Sequence, residues 1–371
     1  MKILHIITST NRGGAESHLL SLASGQTRLA GNNVCVISLS PGADELDPAF
    51  ASAGVRVVHI PLKNKYVPLG CILKTKAFIR EFQPDVVHSH LLPANIVGGL
   101  AARLSGIAHV ASKHNDEQQL NNRLWRYVHA TASARCDDAV ICLSDYVARY
   151  MQRHELKSEN MCVVHYAFDP SLYARTQRDI RAEFGIPAQS FLVGIVARVT
   201  PQKGHSYLLT AFSRLLRDLP DARLMIVGRG DSTATLDEVH RQVAELRLEN
   251  NVIFTGQRSD AYDLMAAFDV FALPSLWEGF GMVLLEASSL QVPIIASNVS
   301  AIPEVVGQDA GILTPPGDVD ALYTALRSIH DDLPDWKQRA YQHKERMQER
   351  FSLQKLIFGT QDVYKSVLKQ Q

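Results

Sequence analysis

The sequence predicts an α/β protein built from two Rossmann-like domains. Three observations carry that expectation. Short apolar runs alternate with amphipathic stretches of helical length. The alternation runs through two complete series. At 371 residues, the chain is longer than one hydrophobic core usually holds. Continuous apolar strands separated by helices are the pattern of parallel sheets covered on both faces.

The first series of strands is "KILHII" (2–7), "NVCVIS" (33–38), "VRVVHI" (55–60), "DVVHSH" (85–90), "AHVAS" (108–112), "DAVICL" (138–143) and "MCVVHY" (161–166). Helices are expected between them at 14–30, 69–82, 92–104, 119–134 and 144–154. The second series is "FLVGIVA" (191–197), "RLMIVG" (223–228), "NVIFTG" (251–256), "DVFALP" (269–274), "PIIAS" (293–297) and "AGILTP" (310–315). Its helices are expected near 204–218, 233–247, 259–267, 282–290 and 318–330. A polar, proline-bearing stretch near 168–190 reads as the linker. The domains are therefore expected at 1–175 and 184–348. A terminal amphipathic helix over 351–371 has apolar positions (Leu353, Leu356, Ile357, Val363, Tyr364, Val367, Leu368) that need a surface to cover.

Composition fits an ordinary soluble protein, with 46% hydrophobic and 20% charged residues. Lys+Arg and Asp+Glu both number 38, so net charge points to no nucleic acid or other polyanion. Residues 1–180 hold 19 basic against 15 acidic side chains, so the first half is mildly basic. Five cysteines without a CxxC pair argue for a reducing compartment, and against a disulfide frame or zinc site. "MKILHIITST" is too short in its apolar run for a signal peptide, and no run is long enough to span a bilayer.

Ligands of doubly wound sheets bind beyond the carboxyl ends of the strands, so the loops there are the places to search for chemistry. After the first strand, Gly13 and Gly14 open a helix, where backbone can approach a ligand and free N–H groups face it. This is not GxGxxG, so it gives no support to a nicotinamide site. His114 follows the fifth strand and is expected in the interdomain cleft, and His88 and His90 stand at the end of the fourth. After the first strand of the second domain, Arg198, Lys203 and Gly204 bring two cations to a helix start, a combination suited to a diphosphate. Gly228 and Gly230 follow the next strand.

"PSLWEGFGMVLLEASS" (274–289) contains Glu278 and Glu286. A strand–loop–helix reading puts Glu278 in the loop and Glu286 in the helix, which does not place them together on one helix face. Gly279 and Gly281 free the backbone N–H groups around Phe280, Met282 and Val283 for a phosphate. Asp318-x-Asp320 superficially matches a metal-binding DxD, but it follows Pro-Pro-Gly and starts a helix. Asp318 is read as an N-cap, and no essential metal or cofactor is expected.

Taken in order, "GGAES", "ASKHN", "VARVTPQKG", "VGRGD" and "WEGFGMVLLEA" resemble the retaining nucleotide-sugar glycosyltransferases of the large bacterial family 4. The resemblance implies the GT-B architecture: two Rossmann-like domains facing across a cleft, with the terminal helix crossing back to the first. It implies that Gly13 and Gly14 pack against the donor and that His114 contacts the transferred sugar. Arg198 and Lys203 would bind the leaving diphosphate. Glu278 would hold sugar hydroxyls, with the backbone at Phe280, Gly281, Met282 and Val283 against sugar and phosphate. Glu286 would grip the ribose, Gly228 would admit the donor, and Arg258 would lie near the base. The sequence departs from the family pattern at "VVHYAFDPSLY", at "NVSAIPE" and at Gln291, which affects the linker and the sugar pocket.

The implied function is transfer of a sugar, most simply from a UDP-sugar, to a hydroxyl of a glycan or lipid-linked glycan. A GT-B epimerase or phosphorylase, or a silent sugar-nucleotide binding protein, is the alternative. Basic and aromatic residues at 63–82 and 122–135 suit an anionic membrane surface, so a cytoplasmic enzyme peripheral to the inner face is expected.

Overall fold

The computed structural model describes residues 1–63, 68–115, 135–153, 161–169, 176, 178–307 and 311–369. The helix expected at 119–134 and the basic-aromatic segment around Trp125 lie outside them.

The strands are β1 Lys2–Ile7, β2 Asn33–Ser38, β3 Arg56–His59, β4 Val86–His90, β5 Ala108–Lys113, β6 Ala139–Cys142, β7 Met161–Val163, β8 Leu192–Val196, β9 Arg223–Val227, β10 Val252–Gly256, β11 Val270–Leu273, β12 Ile294–Ser297 and β13 Gly311–Thr314. The helices are α1 Gly14–Arg28, α2 Asp47–Ser52, α3 Leu69–Phe82, α4 Leu92–Arg103, α5 Asp145–Arg153, α6 Ile180–Glu183, α7 His205–Asp218, α8 Thr233–Glu245, α9 Ala261–Met265, α10 Met282–Ser289, α11 Ile302–Val306, α12 Val319–Asp331, α13 Leu333–Arg350 and α14 Leu353–Lys369.

The chain divides into two compact units, Met1–Asp169 with Phe351–Gln371, and Pro170–Arg350. Each holds one parallel sheet. The first has strand order β3-β2-β1-β4-β5-β6-β7 and the second β10-β9-β8-β11-β12-β13. Both orders reverse once, between β1 and β4 and between β8 and β11. At such a reversal neighbouring loops diverge and leave room for a ligand.

In the first unit one sheet face is apolar, with Leu4, Ile6, Ile37 and Val87 packed against Ile72, Ile79 and Val97 of α3 and α4. The other face alternates in register, so that His5 of β1 stands opposite His88 of β4, with His90 two residues on. Helices α1 and α14 lie against each other in the same unit. A side chain at Gly25 would come within 2.1 Å of Ile357, so glycine there lets α14 seat closely on α1. The terminal amphipathic helix thus covers a surface of the first unit.

Two details differ from the sequence reading. The unit boundary falls between Asp169 and Pro170, and the stretch read as linker is tied to the second unit. There Asp179 caps α6, Arg181 pairs with Asp269 at 2.7 Å, and the Thr176 backbone N–H donates to Asp263 at 3.0 Å. Polar composition concealed these ties. Helix α13 was also not expected. It buries only Ala340, His343 and Met347, too few apolar positions to show a helical period, yet it packs against α10.

Candidate active site

The residues expected to meet a donor in the second unit come from the loops after β8, β9, β10 and β11, on both sides of the strand-order reversal. The first of these loops is held by backbone contacts. A bridge pairs Val199 with Gly230, and the Val199 N–H donates to the Arg229 carbonyl at 2.8 Å. Gly228 has φ 150°, and a Cβ there would lie 1.9 Å from the Ala197 carbonyl oxygen. Only glycine lets the two loops run this close, and the contact fixes the backbone on either side of Arg198. Arg198 itself is exposed, and its guanidinium makes no ion pair or hydrogen bond among the described residues.

The loop continues through a 3-10 turn, Pro201–Lys203, into Gly204 at φ 69°. A Cβ on Gly204 would lie 2.0 Å from the Pro274 carbonyl oxygen. Gln202 completes the junction: its carbonyl accepts from the Leu276 N–H at 2.7 Å, and its amide donates to the Trp277 carbonyl at 2.9 Å. These contacts bring Lys203 against Glu278, and the two form an ion pair with side chains 14% and 11% exposed. Glu278 is also held by Ser275 Oγ at 3.3 Å, while its backbone N–H donates to Ser300 Oγ at 3.2 Å. Sequence reading gave Lys203 and Glu278 different ligand groups, and in the structure each is the other's partner. It missed Gln202, whose side chain type carries no chemical signal.

Three residues after Glu278 the chain reaches Gly281 at φ 82°, the N-cap of α10, with no side chain capping it. The Leu284 N–H turns back to the Gly281 carbonyl at 2.8 Å, and the N–H groups of Met282 and Val283 precede the first intrahelical acceptor. Phe280 is 3% exposed and anchors the loop in the core. Met282 is buried, and Val283 and Glu286 are half-buried, Glu286 one turn into the helix. Glu278 and Glu286 are thus divided between loop and helix, as expected. Arg258 lies two residues beyond β10, but its guanidinium grips the Asp260 carboxylate with two hydrogen bonds of 2.8 and 2.7 Å. Those bonds, with one from Arg178, hold the Asp260 carboxyl well below its usual range. Asp318 caps α12 by accepting from the Ala321 N–H at 2.9 Å, and Asp320 pairs with Arg214. The DxD resemblance is thus a helix cap and a surface ion pair.

In the first unit, Gly13 is the N-cap of α1 and Gly14 its first residue. Gly13 is extended, which any residue adopts, but a Cβ there would come within 2.4 Å of the Glu16 carboxylate. His114, one residue past β5, is 4% exposed. Both of its ring nitrogens are engaged, Nδ1 with the Tyr166 hydroxyl at 2.6 Å and Nε2 with His90 at 3.1 Å. Burial lowers its pKa to about 3, so the ring is neutral. His88 and His90 belong to the same buried group.

An exposed Arg198 and an uncapped helix start, at the carboxyl edge of a parallel sheet, suit an anionic ligand. Comparison with known proteins supplies the class. Residues 176–347 match the model described as glycosyl transferases group 1, and residues 12–172 match glycosyltransferase family 4. Phosphatidyl-myo-inositol mannosyltransferase of Mycolicibacterium smegmatis is 31% identical over 335 residues, covering 86% of this chain and 82% of that one. UDP-Gal:alpha-D-GlcNAc-diphosphoundecaprenol alpha-1,3-galactosyltransferase of Escherichia coli is 25% identical over 329 residues, covering 81% and 80%. The crystal structure of Anabaena HepE in complex with UDP and glucose superposes with a TM-score of 0.88 at 25% identity, covering 99% of this chain and 100% of that one. The protein is a glycosyltransferase of GT-B fold that acts on nucleotide sugars. It belongs to glycosyltransferase family 4.

Proposed function

We propose that this enzyme moves a sugar from a UDP-sugar to a hydroxyl group of a lipid-linked glycan, with retention at the anomeric carbon and without a metal ion. The observation that carries this reading is the junction at Gly204 and Gln202. It brings Lys203 against the loop that leads into α10, which supports a site where Arg198, Lys203 and the helix start offer positive charge to a diphosphate without a metal ion. UDP is supported by the HepE complex and by the donor named for the Escherichia coli relative.

In this reading the bond from C1 to the phosphate oxygen breaks to give an oxocarbenium-like sugar. Arg198, Lys203 and the N–H groups of Met282 and Val283 stabilise the charge that grows on the leaving diphosphate. Glu278, held by Lys203 and Ser275, accepts from sugar hydroxyls, and Glu286 accepts from the ribose. Gly228 admits the donor, Gly13 and Gly14 lie against it, His114 meets the transferred sugar, and Arg258 borders the base. The acceptor hydroxyl arrives on the leaving-group face and passes its proton to a phosphate oxygen.

A lipid-linked acceptor is supported by the diphosphoundecaprenol substrate in the name of the Escherichia coli relative and by the surface of α3. That helix turns Leu69 and Leu73 outward, 61% and 54% exposed, beside exposed Lys74 and Arg80. Exposed apolar residues on a helix that also carries exposed cations suit peripheral contact with an anionic membrane. Among the described residues no helix is long and apolar enough to cross a membrane.

The test is a thermal-shift screen of UDP-, GDP- and ADP-sugars, followed by NMR of the product formed with a lipid-diphosphate glycan. Stabilisation by UDP-sugars and an α-linked product from an α-linked donor is the expected result. An epimerised nucleotide sugar formed without acceptor, or an inverted linkage, would refute the reading. Full activity in excess EDTA is expected, and loss of activity restored by a divalent ion would refute metal independence.

A further inference from the structure

We propose that an unbranched chain of hydrogen bonds links the C-terminal helix to His114 and sets its tautomer, making Tyr364 and Gln26 positioning residues for the sugar site. This rests on the reading that His114 meets the transferred sugar.

The chain can be followed atom by atom through the first unit. His114 Nε2 faces His90 Nδ1 at 3.1 Å. His90 Nε2 faces His5 Nδ1 at 3.0 Å. His5 Nε2 faces Gln26 Oε1 at 2.8 Å. Gln26 Nε2 donates to the Tyr364 hydroxyl at 3.2 Å. That hydroxyl faces His88 Nδ1 at 2.6 Å, and His88 Nε2 faces Ser112 Oγ at 2.7 Å. These side chains are all nearly or fully buried, with no water needed to complete the bonds.

A carboxamide oxygen can only accept, and this one fact sets the direction of every bond. His5 must carry its proton on Nε2 to donate to Gln26. Its Nδ1 is then an acceptor, so His90 donates from Nε2. His90 Nδ1 is in turn an acceptor, so His114 donates from Nε2. On the other side, Gln26 donates to the Tyr364 oxygen, the tyrosine donates to His88 Nδ1, and His88 donates from Nε2 to Ser112. All four imidazoles share one tautomer and each donor meets one acceptor. Reversing the arm from His5 to His114 requires the Gln26 amide to flip. Burial keeps the rings neutral, with His5 near pKa 4 and His88 and His90 well below 6.5.

The consequence falls at the far end. His114 Nδ1 is an acceptor, now served by the Tyr166 hydroxyl at 2.6 Å, so a group that replaces tyrosine there must donate. His18 of α1 lies edge-on at the same end, its ring centre 4.5 Å from Tyr166 and 5.5 Å from His114. It is fully buried, and among the described residues neither ring nitrogen has a hydrogen-bond partner. A sugar hydroxyl reaching this end would find one fixed acceptor and one unsatisfied imidazole. The same chain accounts for the clustering of His5, His88 and His90, which would otherwise suggest a metal site.

The experiment is long-range 15N–1H NMR of the full chain labelled at histidine, with assignments from single histidine variants. At pH 7, neutral Nε2–H rings are expected for His5, His88, His90 and His114. A charged ring, an Nδ1–H ring among the four, or stoichiometric bound zinc would overturn the proposal. Tyr364→Phe removes the group that orients the Gln26 amide. Mixed tautomers at His5, His90 and His114 are expected, with kcat down about tenfold and donor KM within about twofold, as for a misoriented group. Gln26→Met should do the same. A single tautomer and unchanged kcat in both variants would sink the linkage. Unchanged turnover in His114→Ala would instead refute the sugar contact and leave the tautomer result standing.

Discussion

The two units share a strand order that reverses once, yet they place their polar groups differently. In the second unit charge sits in loops beyond the strand ends: Arg198 is exposed, and Lys203 is paired with Glu278 at the sheet edge. In the first unit the polar groups lie within the strands or directly at their ends. His5, His88, His90 and His114 are buried, neutral and joined to one another. The contrast follows from electrostatics. A loop at the sheet edge stays near water, so it can carry a cation until an anion replaces the water. A strand interior cannot, so its imidazoles shed their protons and become directional hydrogen-bonding groups.

Acid should separate the units most. Burial lowers His5 to about 4 and His114 to about 3, and places His18, His88 and His90 well below 6.5. In the unfolded chain they titrate near 6.5, so between there and the folded values the unfolded chain binds more protons. Their stabilising contribution is complete above pH 6.5 and is lost as the pH falls. Each histidine contributes on the order of 1 kcal/mol per pH unit in that window. Among the described residues the second unit has one comparable group, His205, lowered to about 4 chiefly by burial. Its lowered carboxylates, such as Asp260, lose their contribution only below about pH 4. Hydrogen exchange at pH 5 should show the first unit opening while the second stays protected. Equal protection in both would break the comparison.

Next in size is Arg198→Ala, with an expected loss of about 2–4 kcal/mol of transition-state stabilisation, mostly in kcat. Circular dichroism and Tm should stay near wild type, because the exposed side chain makes no ion pair or hydrogen bond among the described residues. A variant that turns over donor normally would remove Arg198 from the site.

These two cases show what sequence can disclose. The strands and most helices were legible because a parallel strand buried on both faces is an unbroken apolar run, and the ends of those runs located the loops after β8 and β11. Arg198, Lys203 and Glu278 stand out in the sequence as charged residues beside glycine at strand ends, but their pattern did not show that Lys203 and Glu278 pair with each other. Gln202 and Gln26 were not legible, since an amide that joins two segments looks like any surface glutamine. Tyr364 was read as part of an apolar stripe, and its hydroxyl acquires meaning only when α14 packs on α1. Helix α13 was hidden by its polar composition.

A smaller effect tests the backbone rather than the charge. Gly228→Ala places a methyl group 1.9 Å from the Ala197 carbonyl oxygen, at a φ that side chains rarely adopt. The loops after β8 and β9 must part, at a cost of about 1–3 kcal/mol. Tm should drop by several degrees, and kcat should fall with it because Arg198 rides on the displaced loop. A stable variant with unaltered kcat would mean that the loop pairing does not position Arg198.

The smallest expected effect comes from Arg258→Ala, and it separates two roles for one cation. Arg258 was assigned to the base by resemblance, while the structure commits its guanidinium to Asp260, which Arg178 also holds at 2.6 Å. The side chain is 31% exposed, so as an ion pair it should contribute no more than about 1 kcal/mol. Asp260 keeps Arg178 after the substitution, and Tm should move by only a few degrees. If the pair is structural, donor KM stays within about twofold and UDP-, GDP- and ADP-sugars keep their order of preference. If Arg258 leaves Asp260 for the base, donor KM rises about tenfold, equivalent to 1.4 kcal/mol of binding, and the preference among bases narrows. The second outcome would mean that a charge held by an internal partner still serves the ligand, so that a cation at this edge need not be unpaired to take part in donor binding.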